Sequence, residues 1–176
     1  MHRLFVAIRP PEHVRDALLD LMGGIAGARW QSDEQLHLTL RFIGEVDRHL
    51  AEDVHAALGS IHFAPFEIAV SGLGTFDRRG APEVVWARVA PPEPVHALHK
   101  KVDQAIARVG IEPDRRAFHP HITLARLGRG AGPVHDFLAR PVAAIPRFTA
   151  SAFVLVESRL TPAGPIYTQL ERYPLA

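Results

Sequence analysis

Apolar residues along this chain follow two rhythms in turn. Leu4 to Ile8 is a continuous apolar run that reads as a buried strand, and Pro10-Pro11-Glu12 then opens a helix with Val14, Leu18, Leu21 and Met22 on one face, closed by Gly23-Gly24. A loop through Trp30 leads to a strand over Leu36 to Ile43, stopped at Gly44. A helix from about Arg48 to Leu58 follows, with Leu50, Val54, Ala57 and Leu58 as its inner stripe. Phe66, Ile68 and Val70 alternate with Glu67, Ala69 and Ser71, the period of a strand.

The second half repeats this plan. The turn Asp77-Arg78-Arg79-Gly80 leads into a strand over Val84 to Val89, and Pro91-Pro92-Glu93 opens a helix reaching about Val109. A strand at His121, a short helix near Val134 to Leu138, one long strand near Phe148 to Val156 and a last strand over Ile166 to Tyr173 complete it. The words themselves recur: "PPEHV" at Pro10 and "PPEPV" at Pro91, each followed by a strand reading His-x-Thr-Leu, at His37 and His121. Element order, spacing and both words point to an internal duplication, two copies of one α+β unit in a single domain with lobes of about 1–80 and 81–176 and room for strand exchange at the ends.

Composition narrows the partners. The chain of 176 residues has a formal charge of +1, so no broad field draws it to nucleic acid or membrane and an anionic ligand must be held locally. It contains no cysteine, which excludes disulfides, thiolate metal sites and a cysteine nucleophile. No apolar run approaches a membrane span, and the N-terminal run is too short for a signal peptide. A cytoplasmic monomer without an obligate protein partner is the expectation.

The doubled word carries the chemistry. Residues i and i+2 of a strand share a face, so His37 lies with Thr39 and His121 with Thr123, while Leu38, Leu40, Ile122 and Leu124 anchor the other side. Imidazoles titrate near neutrality, so one of a pair can hold a proton while the other accepts one, and the threonine hydroxyls can donate to phosphoryl oxygens. If symmetry brings the words together, the four groups form one phosphate cradle, suited to a strained cyclic phosphodiester and needing no metal or other cofactor. The bland alternative is a packed or surface His-x-Thr pair; the remaining histidines, among them His49, His55, His62, His96, His99 and His135, read as surface residues. His119-Pro120-His121 raises zinc as a second reading, but no nearby third ligand has a familiar spacing and Pro120 interrupts the strand. Strand alternation turns Arg126 away from His121 unless a bulge intervenes, leaving it either a rim phosphate ligand or a solvated side chain; Arg41 has the same ambiguity. Arg115-Arg116 and Arg78-Arg79 could touch a nucleic-acid backbone, and Trp30, Phe42 and Phe118 could stack on a base or belong to the core.

The doubled His-x-Thr word resembles the signature of the two-histidine (2H) phosphoesterase superfamily, most closely its bacterial and archaeal RNA 2′,3′-cyclic phosphodiesterases, also called 2′-5′ RNA ligases, the LigT-like group. The likeness extends through "RLFVAI", "RWQSDEQLHLTLRFIGEV", "GLGTFDRRGAPEVVWARV", "PHITLAR" and "SRLTPAGPIYTQLERYPL", nearly the whole chain. It implies a bilobal α+β fold, two antiparallel sheets with outer helices and a central cleft lined by both words. It also implies metal-independent opening of a 2′,3′-cyclic phosphate to a 2′-phosphate, with His37 as proton donor to the leaving 3′ oxygen, His121 as the base that activates water, and Thr39 and Thr123 on phosphate oxygens. Arg126 joins these as a phosphate ligand and Phe42 as a base-stacking platform. The reverse reaction would join RNA ends by 2′-5′ linkages. His119 stands where that group is variable, and its charge could perturb His121. The near-neutral total charge favours small cyclic nucleotides or short RNA ends as substrates. The other function to weigh is a module that binds cyclic-phosphate ends without turning them over.

Overall fold

The computed structural model describes all 176 residues. In chain order the elements are β1 (His2–Ile8), α1 (Glu12–Leu21), β2 (Ala28–Trp30), a 3₁₀ turn (Asp33–Gln35), β3 (Leu38–Val46), α2 (Arg48–Gly59), β4 (Phe66–Arg78), β5 (Ala81–Ala90), α3 (Pro92–Arg108), β6 (His121–Leu127), α4 (His135–Leu138), β7 (Phe148–Ala150), β8 (Ala152–Thr161) and β9 (Gly164–Pro174). The architecture is the α+β arrangement read from the sequence, and both Pro-Pro-Glu words start helices, at Glu12 and Pro92. Proline suits such starts because its missing N–H falls among donors that the first turn leaves unpaired anyway. No helix is long and apolar enough to cross a membrane.

The strands run in the order β7-β4-β5-β6-β3-β1-β8-β9, with β2 also paired to β6. Every ladder is antiparallel. The two expected sheets are therefore two halves of one curled sheet, β9-β8-β1-β3 and β6-β5-β4-β7, meeting at a single residue pair, Leu38 against Ile122. The order is symmetric about that seam: β1 and β5, which open the two repeats, each lie one strand from it. The next strand out comes in each case from the other repeat, β8 beside β1 and β4 beside β5.

The core explains the curl. Val14 and Leu18 of α1, Val54 and Leu58 of α2 and Val95, Leu98, Val102 and Ile106 of α3 are buried with Leu36, Leu38, Leu40, Ile122 and Leu124, so the helices cover one face of the sheet. The opposite, concave face holds only a small cluster around Phe5, Ala7, Val154 and Val156. That leaves it free to form a cleft.

Four local expectations are corrected. The loop through Trp30 contains a short strand, β2, held against β6. The single strand expected over Phe148 to Val156 is two, because β7 pairs with β4 in one half and β8 with β1 in the other, and the chain crosses between them at Ser151. β3 does not stop at Gly44; it runs to Val46, with Gly44 at φ +89°, a conformation glycine takes without a Cβ clash. The turn between β4 and β5 is only Arg79-Gly80, both with positive φ (52° and 78°), the two-residue form whose twist matches a hairpin.

Candidate active site

The seam places the two words face to face. With Leu38 opposite Ile122 in an antiparallel pair, His37 lies opposite Thr123 and Thr39 opposite His121. All four point to the face away from Leu38 and Ile122, which are fully buried. Opposite positions have Cβ atoms about 5 Å apart and diagonal ones about 7–8 Å. The two histidines form the diagonal.

Each ring is seated the same way. His37 Nδ1 bonds the carbonyl of Gln35 at 2.7 Å, and His121 Nδ1 bonds the carbonyl of His119. A carbonyl only accepts, so both Nδ1 atoms carry the proton and both Nε2 atoms are left to exchange protons with a ligand. At His37 that lone pair accepts from the Thr39 hydroxyl at 2.8 Å. The Thr123 hydroxyl makes no hydrogen bond within the protein and is free to donate.

Aromatic rings frame both imidazoles. Phe5 and Tyr167 flank His37, with centroids 4.8 and 5.4 Å away, and Tyr167 is edge-on at 88°. Phe76 and Trp86 flank His121 at 4.8 and 6.1 Å, Phe76 edge-on at 90°. This apolar frame desolvates the rings and so disfavours their charged forms. Burial, reinforced by the charges of Arg9, His121 and Arg126, brings the His37 pKa down to about 4. Burial also lowers His121, with His119 and Arg126 adding to the effect, so the perturbation expected from His119 is present.

A bulge resolves the ambiguity of the arginines. In β3, Ala7 pairs with Thr39 and Val6 with Arg41, leaving Leu40 as an extra residue; in β6, Trp86 pairs with Thr123 and Val85 with Ala125, leaving Leu124 extra. The leucine of each word is thus the bulged residue, and alternation reverses after it. Arg126 turns onto the same face as His121 and Thr123, while Arg41 turns inward. Arg41 is neither a rim ligand nor solvated: it is 6% exposed, paired with Asp103 at 2.7 Å and bonded to the carbonyls of Phe42 and Glu112. The counterpart of Arg126 in the first repeat is Phe42, which is 38% exposed, parallel to Phe5 at 6.3 Å and covered by Arg3 at 5.2 Å.

Two hollows flank the histidine pair. One, of about 240 Å³, is lined by Thr39, Phe42, Phe76, Phe118, His119 and His121; the other, of about 190 Å³, by Phe5, Arg9, Glu34, His37, Tyr167 and Gln169. Trp30 lies outside both and packs on Phe137 at 5.2 Å. His99 is not a plain surface residue: it stacks flat on Phe118 at 4.0 Å and bonds the Leu40 carbonyl. Arg116 is engaged with Asp114 through two nitrogens, which holds that carboxyl down at about 2. No group of three or more His, Cys, Asp or Glu side chains is placed to hold a metal ion, and His119 and His121 gain no third partner.

The sequence reading missed Arg9. Its Nη1 reaches the carbonyls of Asp33 at 2.8 Å, Glu34 at 3.2 Å and Leu36 at 2.7 Å, and Asp33 also binds Arg15 at 2.9 Å. The Gln35 side chain closes the turn on the Ser32 N–H and reaches the Pro165 carbonyl. The one carbonyl of the segment Asp33 to Leu36 that Arg9 leaves free is that of Gln35, the acceptor for His37 Nδ1. The aromatic frame was missed too, although aligned repeats signal part of it: Phe5 and Trp86 each stand five residues before a Pro-Pro-Glu word.

Fold and site together define a duplicated protein with two imidazoles seated alike on facing strands. The chain belongs to the LigT like phosphoesterase family, whose model matches it twice in tandem, over residues 8–86 and 89–167. It is 31% identical over 172 residues to the RNA 2′,3′-cyclic phosphodiesterase of Archaeoglobus fulgidus, covering 96% of this chain and 97% of that protein. With the RNA 2′,3′-cyclic phosphodiesterase of Thermus thermophilus it shares 36% identity over 185 residues, 98% of this chain and 90% of the relative. Among solved structures, Escherichia coli LigT complexed with 3′-AMP superposes with a TM-score of 0.82 at 27% identity, covering 99% of this chain and 98% of the other.

Proposed function

We propose that this protein opens RNA 2′,3′-cyclic phosphate ends to 2′-phosphates by two-histidine general acid and base catalysis without a metal ion. The observation that supports it most is the Nδ1 bond of each imidazole to a backbone carbonyl, which leaves both Nε2 atoms as the groups that can exchange a proton with a ligand. Full-length relatives named for this activity support the substrate class.

In this reading the phosphate sits between the rings, with Thr39, Thr123 and Arg126 on its non-bridging oxygens and Phe42 beside the base. His121 Nε2 takes a proton from water as the oxygen attacks phosphorus, and the protonated His37 Nε2 gives its proton to the departing 3′ oxygen. Water is consumed, the P–O3′ bond breaks, and a 2′-phosphate with a 3′-hydroxyl remains. The site then resets by moving one proton from His121 to solvent and one from solvent to His37. His37 enters the reaction protonated only because the bound anion counteracts the burial that otherwise keeps it neutral. With the 5′-hydroxyl of a second strand in place of water, the same proton transfers form a 2′-5′ phosphodiester as the P–O3′ bond breaks, the ligase direction, against which abundant water competes.

The direct test incubates the protein with 2′,3′-cyclic AMP in EDTA and separates the products: 2′-AMP is expected, with no 3′-AMP. Binding without product after prolonged incubation would instead establish the end-binding module.

Arg9 acts in this scheme as a positioning residue for His37. Arg9→Ala is expected to reduce kcat about tenfold, the scale of a misplaced catalytic group, with KM little changed. It should also raise the His37 pKa, because a lowering charge is removed. NMR titration of the His37 ring follows that shift independently of turnover, and an unmoved pKa with unaltered kcat would discard the role.

A further inference from the structure

The cleft edge carries a pair of like charges with no counter-charge. β2 runs antiparallel to β6 with Arg29 directly opposite Arg126, so both side chains leave the same face from Cβ atoms about 5 Å apart. Both are exposed, and neither forms an ion pair or a side-chain hydrogen bond. The neighbouring pair, Trp30 against Ala125, faces the core, which confirms the alternation. Like charges set directly opposite destabilise a ladder, so this pair costs the free protein stability that an anion between the two guanidinium groups would restore.

The bulge at Leu124 puts Arg126 on the face of His121 and Thr123, beside the phosphate of the proposed mechanism. Arg29 stands one strand further out. Past the end of β6 the basic character continues into a groove of about 460 Å³ lined by Arg78, Arg79 and Arg129, against one carboxylate, Glu83. A chain whose formal charge is only +1 has thus gathered several arginines along this edge, of which only Arg78 is paired, with Glu83 at 3.6 Å. Arginine suits such a line, since its planar fork grips phosphate oxygens two at a time.

We infer that Arg29, one strand out from Arg126 on the reacting phosphate, holds the phosphodiester adjoining it, so that the site selects the end of an RNA strand over a mononucleotide. This rests on the phosphodiesterase reading for the chemistry at the strand's end, and of the two substrates expected from total charge, small cyclic nucleotides and short RNA ends, it favours the second.

The test compares 2′,3′-cyclic AMP with a hexanucleotide bearing the same cyclic end, and follows binding of a fluorescent hexanucleotide 2′-phosphate by anisotropy over a range of salt. The unmodified protein should show kcat/KM at least tenfold higher for the hexanucleotide. Arg29→Glu should remove most of that ratio and flatten the slope of log affinity against log salt by about 0.7 or more, the share of one single-strand phosphate contact. The same substitution should raise the melting temperature of the free protein, since it turns a repulsive pair into an attractive one. Hexanucleotide binding and a substrate ratio both unchanged by Arg29→Glu would overturn the inference. Weakened strand binding in a protein that hydrolyses neither substrate would keep the phosphate track and reject the phosphodiesterase reading instead.

Discussion

Replacing either His37 or His121 by alanine is expected to lower kcat for cyclic-phosphate opening by about 10²–10⁴-fold, the range that one positioned proton-transfer group supplies. The two losses should be similar, because the structure gives the two rings equivalent seats: an Nδ1 bond to the carbonyl two residues earlier, an aromatic edge and a threonine on the facing strand. The double variant should fall well short of the product of the single losses, since in the proposed mechanism acid and base act in one displacement and removing either already forfeits the concerted path. KM should change little, as Thr39, Thr123 and Arg126 remain. Both rings are partly buried among apolar side chains, so thermal melting of each variant checks that the cleft still forms. A folded variant of either position with kcat within threefold of the parent would refute the two-histidine mechanism.

How much of this was legible in the sequence depends on which interactions are local. The two helices opened by Pro-Pro-Glu, the strands carrying His-x-Thr-Leu and the shared face of His37 with Thr39 all follow from periodicity within a few residues. The reversal after Leu40 and Leu124 does not, because a bulge is a mismatch between two strands and exists only relative to its partner. Arg41 and Arg126 occupy different positions within their words, at four and five residues after the histidine, so the same bulge sends one inward to Asp103 and the other into the cleft. Likewise Phe76 and Tyr167 reach the imidazoles only because β4 and β9 sit in the half of the sheet that holds the other repeat's strands. Arg9 was hidden for a third reason. Its partners are backbone carbonyls, which have no residue type to read.

The pH dependence should expose the same architecture. The proposed mechanism needs one ring protonated and the other neutral, and in the free protein the His37 pKa is down at about 4 while His121 is lowered from 6.5 by burial, His119 and Arg126. Because kcat/KM reports the free enzyme, its profile should be a bell confined to acid pH, rising through a limb near 4 and falling through a second limb below 6.5. The signs follow from the roles: below the acid limb both rings are protonated and no base remains, and above the upper limb both are neutral and no acid remains. Beyond that limb the rate should fall about tenfold per pH unit, roughly a hundredfold two units above it. The limbs belong to the coupled pair, so neither is the titration of one ring alone. The kcat profile should lie at higher pH, because a phosphate anion between the rings favours their protonated forms and binding takes up protons. His119→Gln supplies the internal control: with the His119 charge gone, the upper limb should move up while the limb near 4 stays in place. An upper limb of kcat/KM above pH 7 in the parent protein would mean that the aromatic frame around Phe5, Tyr167, Phe76 and Trp86 does not desolvate the rings, and the electrostatic account of the site would fall with it.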